Sequence, residues 1–587
     1  MSSTPIAIIG GGPAGLTAAL ESVRRDHATV VLEKEDQFGG IARTVDYRGY
    51  LFDIGGHRYF TKVEKITRLW QDMLGEDLLS VSRRSSIYYR GKYLNYPLAF
   101  SNALTRLGPL EALSVVASYL KARIRPIAEE ETFEQWVVNR FGWRLYEIFF
   151  KAYTEKVWGL PCSEIRAEWA AQRIKGLSLM TALTHALLGG QKAKTLIDQF
   201  LYPLQGPGMM WRRFSEAIEA QGGDVRTRSE VIRLQHAGGR IGSLTLRDGD
   251  GETALPVSQV ISSMPITELV DRLDPPPPGH VLDAAANLRY RAFIVAGLIL
   301  NVRDCFPGQW IYVQTPEVKV GRVQNFKNWS PAMVPDPDMT NLGLEYFCDE
   351  GDKTWEMPDR DILALAAKEL ALLGLGKETD VTDGVVLRQK KAYPVYDEGY
   401  ADRVRVIRTY MESIENLQTI GRNGMHRYNN MDHSMLTGLL AVENLSGRRR
   451  DLWEVNEDQE YHEEEDAGFG EKIREKVLSG TFAKMDKAAM ALATGAVSGL
   501  FFFGATLWLV IKGGDRVGPT LALLAQFFVG YTVTLKGAFL AFAYAGAWGL
   551  LLGWLFAYLR NLALAMYIYR IRKKAEILSL KDFFDHL

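Results

Sequence analysis

Residues 5–33 read PIAIIGGGPAGLTAALESVRRDHATVVLE, and the order of pieces within them decides the fold. PIAII is a short apolar run of strand type; Gly10-x-Gly12-x-x-Gly15 follows it directly, and PAGLTAALESVRR continues with helical character. A second apolar run, TVVLE, ends at Glu33, eighteen residues beyond Gly15. In such a strand–turn–helix–strand unit the first glycine permits the turn and the second lets backbone approach a pyrophosphate. The third allows close helix packing, and helix N–H groups face the phosphates. An acidic side chain closing the second strand accepts hydrogen bonds from a ribose. A Gly-rich turn of no function would account for the glycines, but not for their order with strand, helix and Glu33. The stretch is read as a dinucleotide cradle.

The whole chain sets the bounds. Its 587 residues, 47% apolar, exceed one hydrophobic core and suffice for two or three domains. Sixty-nine Lys and Arg against seventy Asp and Glu leave a formal charge of −1, so no nucleic-acid partner is expected. Cys162, Cys305 and Cys348 have no metal-ligand spacing and are too few for a disulfide scaffold. No metal site is expected, and a reducing compartment is favoured. No cleavable signal is readable in MSSTP.

Membrane character gathers at the other end. Ala488–Ile511, Val517–Leu535 and Gly537–Leu559 are uncharged stretches of 24, 19 and 23 residues, against about 20 needed to cross a bilayer. Lys484 and Lys487 precede the first, and Arg570, Arg572, Lys573 and Lys574 follow the last, so the positive-inside rule asks for an even number of crossings. The middle stretch carries Pro519 and Gln526. Two spans are therefore expected, 488–511 and 537–559, with 517–535 re-entrant or lying against them and the catalytic part facing the cytoplasm. Gly495 and Gly499, and the ridge Ala541, Ala545, Gly549, Gly553 and Ala557, suit close helix pairing in lipid. The acidic run 457–466 reads as a solvated linker.

GGIART, Gly39 to Thr44, resembles the GGxxR[ST] signature of the amine oxidase and protoporphyrinogen oxidase superfamily of FAD enzymes, and YLFDIGGHRYF, Tyr50 to Phe60, resembles the loop that family lays against the isoalloxazine. The resemblance covers about residues 5–445 and implies that the dinucleotide is FAD. It implies that Gly10, Gly12, Gly15, Glu33, Gly39, Gly40, Arg43, Gly55, Gly56, Val231, Gly421, Arg422 and Met431 belong to the cofactor site, with Arg43 by the pyrophosphate and the Val231 backbone at the adenine. KAYTEKVWGLPCSEI, AYPVYDEGY and GRNGMHRYNNMD resemble segments of UDP-galactopyranose mutases, which puts Trp158, Tyr393 and Tyr428 against the substrate. An aromatic residue at such spacing is otherwise ordinary core. The last segment departs from the mutase pattern by ending Met431-Asp432, and no mobile-loop arginine aligns, Arg166 and Arg173 being the candidates.

The fold class expected is α/β: a Rossmann-type FAD-binding domain interleaved with a mixed α+β substrate domain, plus a C-terminal helical membrane tail. The expected division is 1–75 FAD-binding, 76–200 substrate domain and mostly helical, 201–270 FAD-binding, 271–395 substrate domain with a mixed sheet, 396–448 FAD-binding closure, 449–483 charged linker and 484–587 membrane tail. The chemistry expected first is hydride transfer from an amphiphilic or lipid-linked substrate to flavin N5. The alternative is a non-redox rearrangement of a sugar (di)phosphate on reduced FAD, and a third reading makes the chain a non-catalytic FAD-fold subunit of a membrane complex. His57 is the candidate catalytic group, as an imidazole that changes protonation near neutral pH. Neither the substrate nor the electron donor or acceptor is readable. Gly12→Val places a branched side chain where the pyrophosphate belongs and should abolish FAD binding, while Glu33→Ala should weaken it; flavin-to-protein ratio measures both, and stoichiometric flavin in Gly12→Val would put the loop elsewhere.

Overall fold

The computed structural model describes residues 4–59, 61, 63–96, 108–167, 199–249, 251–447, 450–455, 486–513 and 518–584. The chain forms two compact units, Met1–Glu465 and Asp466–Leu587.

In the first unit, the strand that opens the chain, Ile6–Ile9, is buried at every position and pairs in parallel on both sides, with Thr29–Leu32 and Gln259–Ser262. Asp224–Arg226 and Leu417–Thr419 complete a five-stranded parallel sheet from segments spread over four hundred residues. Strands covered on both faces carry continuous apolar runs rather than alternation, as IAII and TVVL do. The helix Pro13–Val23 starts as read, with Pro at its first turn, and packs against the helices Met431–Leu445 and Gly208–Ala220. This is the Rossmann-type part, with Val231 on the strand Glu230–Ala237 of a second, four-stranded sheet beside it.

The other part is a seven-stranded mixed sheet. Its order runs Val381–Pro394, Tyr290–Leu300, Thr340–Cys348, Arg322–Asn325, Trp310–Val313, Ser85–Tyr89, Lys92–Tyr96. The segment 76–200, expected to be mostly helical, thus supplies two strands to this sheet, one of them parallel to Trp310–Val313. Its helices among the described residues are Pro109–Ile124, Phe133–Phe141 and a run from Trp143 to Trp158. Phe133–Phe141 opens on a Thr132/Gln135 capping box. The run Trp143–Trp158 is α-helical except at Glu147–Lys151, which is one turn of π-helix. Such turns accommodate an extra residue inside an α-helix.

Among its described residues the second unit holds two long helices, Lys487–Lys512 and Leu535–Phe584. Lys487–Lys512 and Leu535–Leu562 are long and apolar enough to cross a membrane. Between them, the helical elements among the described residues are the short turns Pro519–Ala522 and Leu523–Gln526, and Phe528 and Tyr531 pack on Ala541 and Ala545. The two glycine-bearing ridges meet: a Cβ on Gly549 would stand 2.8 Å from the Gly495 Cα, so only small residues permit this approach.

One buried carboxyl ties the cofactor hairpin to the rest of the first unit. Asp53, 1% exposed, faces Thr44 across the hairpin Thr44–Tyr47/Tyr50–Asp53. It accepts from Thr44 Oγ1 at 2.7 Å and from the Tyr202 hydroxyl at 2.5 Å, while Gly208 N–H donates to Thr44 Oγ1 at 2.9 Å. Burial outweighs both hydrogen bonds and lifts its pKa from 3.8 to about 7. Between those values the native state binds more protons than the unfolded chain, so this group's stabilisation is full at low pH and is lost as pH rises through about 7. Asp53→Asn should remove that slope, on the order of 4 kcal/mol across the window; the thermal midpoints of parent and variant from pH 4 to 8 measure it, and parallel curves would refute it.

Candidate functional site

A single cleft of about 1390 Å³ runs between the parallel sheet and the mixed sheet of the first unit. Its dinucleotide end is built by the opening loop. Glu33, at the end of its strand, accepts from Gly11 N–H at 2.7 Å through one carboxylate oxygen and from Glu35 N–H at 2.9 Å through the other. Burial raises its pKa, and the two N–H donors oppose that rise. Gly10, Gly12, Gly40 and Arg43 line the same end. A Cβ on Gly12 would have no protein atom nearer than 3.9 Å, so the space beside it is a cradle for a ligand rather than for side chains. Gly15 and Gly39 do not line the cleft. A Cβ on Gly15 would strike the Gly10 carbonyl, and one on Gly39 would come within 2.8 Å of Trp211; both act by close packing behind the loop.

Arg43 Nη1 donates to the Gly40 carbonyl at 2.8 Å and to Gln389 Oε1 at 3.0 Å. Val231 lines the cleft, with its carbonyl accepting from Arg272 Nη1 at 2.6 Å. Gly55, Gly56, Gly421, Arg422 and Met431 lie along the same cavity, the last at the start of the helix Met431–Leu445. Gly56 stands close to the Gln324 amide, which a Cβ would meet at 2.7 Å.

His57 is also in the cleft wall, but its protonation differs from the expectation. Nε2 lies 2.8 Å from the Ile54 carbonyl and donates to it. Burial, together with the positive charges of Arg422 and Arg322, pushes its pKa down to about 4. The ring is neutral near pH 7 and works as a fixed hydrogen-bonding group, not as a titrating one.

The three aromatic residues read from separate segments meet. Tyr393 and Tyr428 stack with centroids 5.7 Å apart, and Trp158 lies 6.4 and 6.3 Å from them. The Arg422 guanidinium sits over both tyrosines, 4.0 Å from the Tyr428 ring and 4.9 Å from Tyr393. Its Nε and Nη2 are buried without a hydrogen-bond partner. A desolvated cation with two idle donors beside a cavity is a ready partner for an anionic group.

Several cleft residues escaped the sequence. Tyr396 stacks on Trp158 at 6.4 Å and accepts from Tyr428 N–H at 2.7 Å. Arg322 forms an ion pair with the fully buried Glu345 at 2.6 Å, and Gln324 Nε2 donates to the other oxygen of that carboxylate at 3.0 Å. Arg322 and Glu345 are register partners on neighbouring antiparallel strands; twenty-three residues apart, they carry no local signal. Of the loop-arginine candidates, Arg166 is exposed and lies outside the cleft lining, and Arg173 lies outside the described residues.

The lining holds thirteen Lys and Arg side chains against five Asp and Glu. Some are neutralised from behind, as Arg322 is by Glu345 and Arg408 by Asp451. Arg43 and Arg422 form no ion pair among the described residues, and they mark the two ends of the strip where anionic groups fit. The opposite end is apolar: Phe133, Phe141, Leu145, Phe149 and Phe150 line it. No cluster of metal ligands occurs among the described residues.

A dinucleotide loop, a glycine-lined mid-section and a polar–aromatic substrate end, all within one cleft, define an FAD-dependent enzyme. The chain belongs to the family of flavin containing amine oxidoreductases, whose model matches residues 13–446. It is 24% identical over 176 residues to a protein designated a probable UDP-galactopyranose mutase of Klebsiella pneumoniae, covering 28% of this chain and 44% of that one; the chain thus spans less than half of that relative. Among solved structures, reduced UDP-galactopyranose mutase superposes with a TM-score of 0.68 at 21% identity, over 78% of this chain and 98% of the other. A protein assigned as a protoporphyrinogen oxidase, from Exiguobacterium, gives 0.59 at 18%, over 76% and 100%. At these identities the likeness is one of fold.

Because His57 is already neutral, the pH dependence of the flavin spectrum and of turnover should carry no His57 step between pH 5.5 and 8. Titrating parent and His57→Asn side by side checks this, and a step near 6.5 present only in the parent would contradict it.

Proposed function

We propose that the chain is a membrane-anchored FAD-dependent oxidoreductase whose substrate is an amphiphile with a phosphate-bearing polar head, a lipid-linked sugar phosphate being the simplest such molecule. Bound FAD supplies a hydride acceptor; the protein supplies position. The observation that carries the reading is Arg422, set over the stacked Tyr393 and Tyr428 with its buried Nε and Nη2 donors unspent. Those donors suit phosphate oxygens, and the Trp158, Tyr393 and Tyr428 rings suit a sugar face held beside them. The apolar end formed by Phe133, Phe141, Leu145 and Phe149 suits an alkyl chain. Two helices with the length and composition of membrane spans agree with a substrate that resides in lipid, and the basic residues outside them favour a cytoplasmic catalytic unit. Oxidoreduction is placed first because it is the chemistry of the family.

A second reading is favoured by one observation. Trp158, Tyr393 and Tyr428, drawn from the segments that resemble UDP-galactopyranose mutases, converge within 6.4 Å, which suits a non-redox rearrangement of a glycosyl diphosphate.

Anaerobic mixing of the oxidised holoenzyme with a lipid-linked sugar phosphate should bleach the flavin band on the timescale of turnover. Turnover that requires prior reduction, with no bleaching of the oxidised enzyme, would select the rearrangement. Full-chain protein purified without any flavin band would overturn both.

A further inference from the structure

The helix Pro109–Ile124 is apolar on two faces. Val115, Tyr119 and Ala122 point inward and are buried, and Val115 and Tyr119 join the cluster that holds Phe133, Phe141, Leu145 and Phe149. The outward face carries Leu110, Leu113, Ala117, Leu120 and Ile124 at steps of three and four residues, the repeat of a helical stripe. Leu110 is 84% exposed, Leu113 67% and Ile124 77%. Ile127, just past the helix, and Trp143, at the start of the run Trp143–Trp158, are exposed as well. Isolated exposed leucines are ordinary, but a contiguous stripe is not. Lys121, Arg123 and Arg125 are exposed at the end of the same helix.

We infer that the outer face of Pro109–Ile124 is an interfacial membrane-docking surface that lies on a bilayer containing anionic lipids. A helix with an apolar stripe, basic residues at its margin and an aromatic neighbour has the composition that partitions into the boundary between headgroups and acyl chains. The basic flank complements anionic headgroups, which distinguishes this occupant from a second, near-neutral protein surface. Docking in this way sets the lipid one helix away from the apolar end of the cleft, since the inner face of the same helix packs on the side chains that line it. The inference rests on the reading of the two C-terminal helices as spans, which hold the chain at a bilayer.

The test uses the full chain, with FAD, reconstituted one copy per nanodisc containing phosphatidylglycerol. An environment-sensitive fluorophore is attached in a Cys305→Ser background at Leu113→Cys, at Leu500→Cys in the helix Lys487–Lys512, or at Glu252→Cys on an exposed polar strand. Retained flavin stoichiometry certifies folding of each variant. Lipid-borne quenchers should quench the 113 and 500 labels several-fold more than the 252 label. Replacing Lys121, Arg123 and Arg125 by Glu should cut quenching at 113 about twofold or more while leaving 500 unchanged. Quenching at 500 with the 113 label behaving like 252 would overturn the docking surface and spare the spans. An unquenched 500 label would overturn the spans and the docking surface with them. Shielding of the 113 label that grows with protein concentration and resists lipid quenchers would assign the face to a protein contact and overturn the inference.

Discussion

A Cβ on Gly438 would run into the carbonyl oxygen of Ala14. The helices Pro13–Val23 and Met431–Leu445 therefore approach with backbone against backbone, and the cleft depends on it. Gly421, Arg422 and Met431 reach the dinucleotide loop because the helix that follows them is seated this closely on the helix that follows Gly12. The same close packing recurs behind the loop at Gly15 and Gly39. Side-chain-free contact brings segments four hundred residues apart to one ligand with little room for adjustment.

The electrostatics of the cleft follow from burial more than from pairing. Glu33 is raised, Arg43 and His57 lowered, and in each case loss of solvent is the first cause, as it is for Asp53 in the adjoining hairpin. Cationic groups are retained there nonetheless. Arg322 is held by Glu345, whereas Arg43 and Arg422 form no ion pair among the described residues, and Glu35, Glu33 and Asp36 act on Arg43 only from a distance. A protein that buries cations in this way relies on ligand anions to complete the site.

The glycine framework was legible because each position answers to a local backbone requirement, a turn or an approach, that leaves a mark in sequence. Trp158, Tyr393 and Tyr428 were legible only through the segments around them, since an aromatic side chain in isolation says nothing about which cavity it will face. Tyr396 shares the AYPVYDEGY stretch with Tyr393 and went unread, because its stacking on Trp158 is set by tertiary geometry. Arg322 and Glu345 are a cross-strand pair, visible once the register is known and not before. The protonation of His57 was misjudged for the same reason: pKa is a property of surroundings assembled from four segments. In the tail, Pro519 and Gln526 gave the middle stretch away as something other than a long helix, and short turns stand there.

The turn of π-helix at Glu147–Lys151 has a consequence for how this chain tolerates length changes. A π-turn is one residue more than an α-helix needs. Removing a single residue there would restore regular winding and leave the residues on either side at nearly their present azimuths, because the bulge takes up the extra residue locally. Trp158 lies seven residues beyond the turn, with the whole of Ala152–Trp158 carried along rigidly. The bulge thus works as a phase-keeper: it holds the azimuth at which the tryptophan leaves its helix in spite of the extra residue. Homologous chains that lack one residue at this turn would still present the tryptophan to the tyrosine pair, whereas a one-residue change in the regular winding of Ala152–Trp158 would turn it away by roughly 100°.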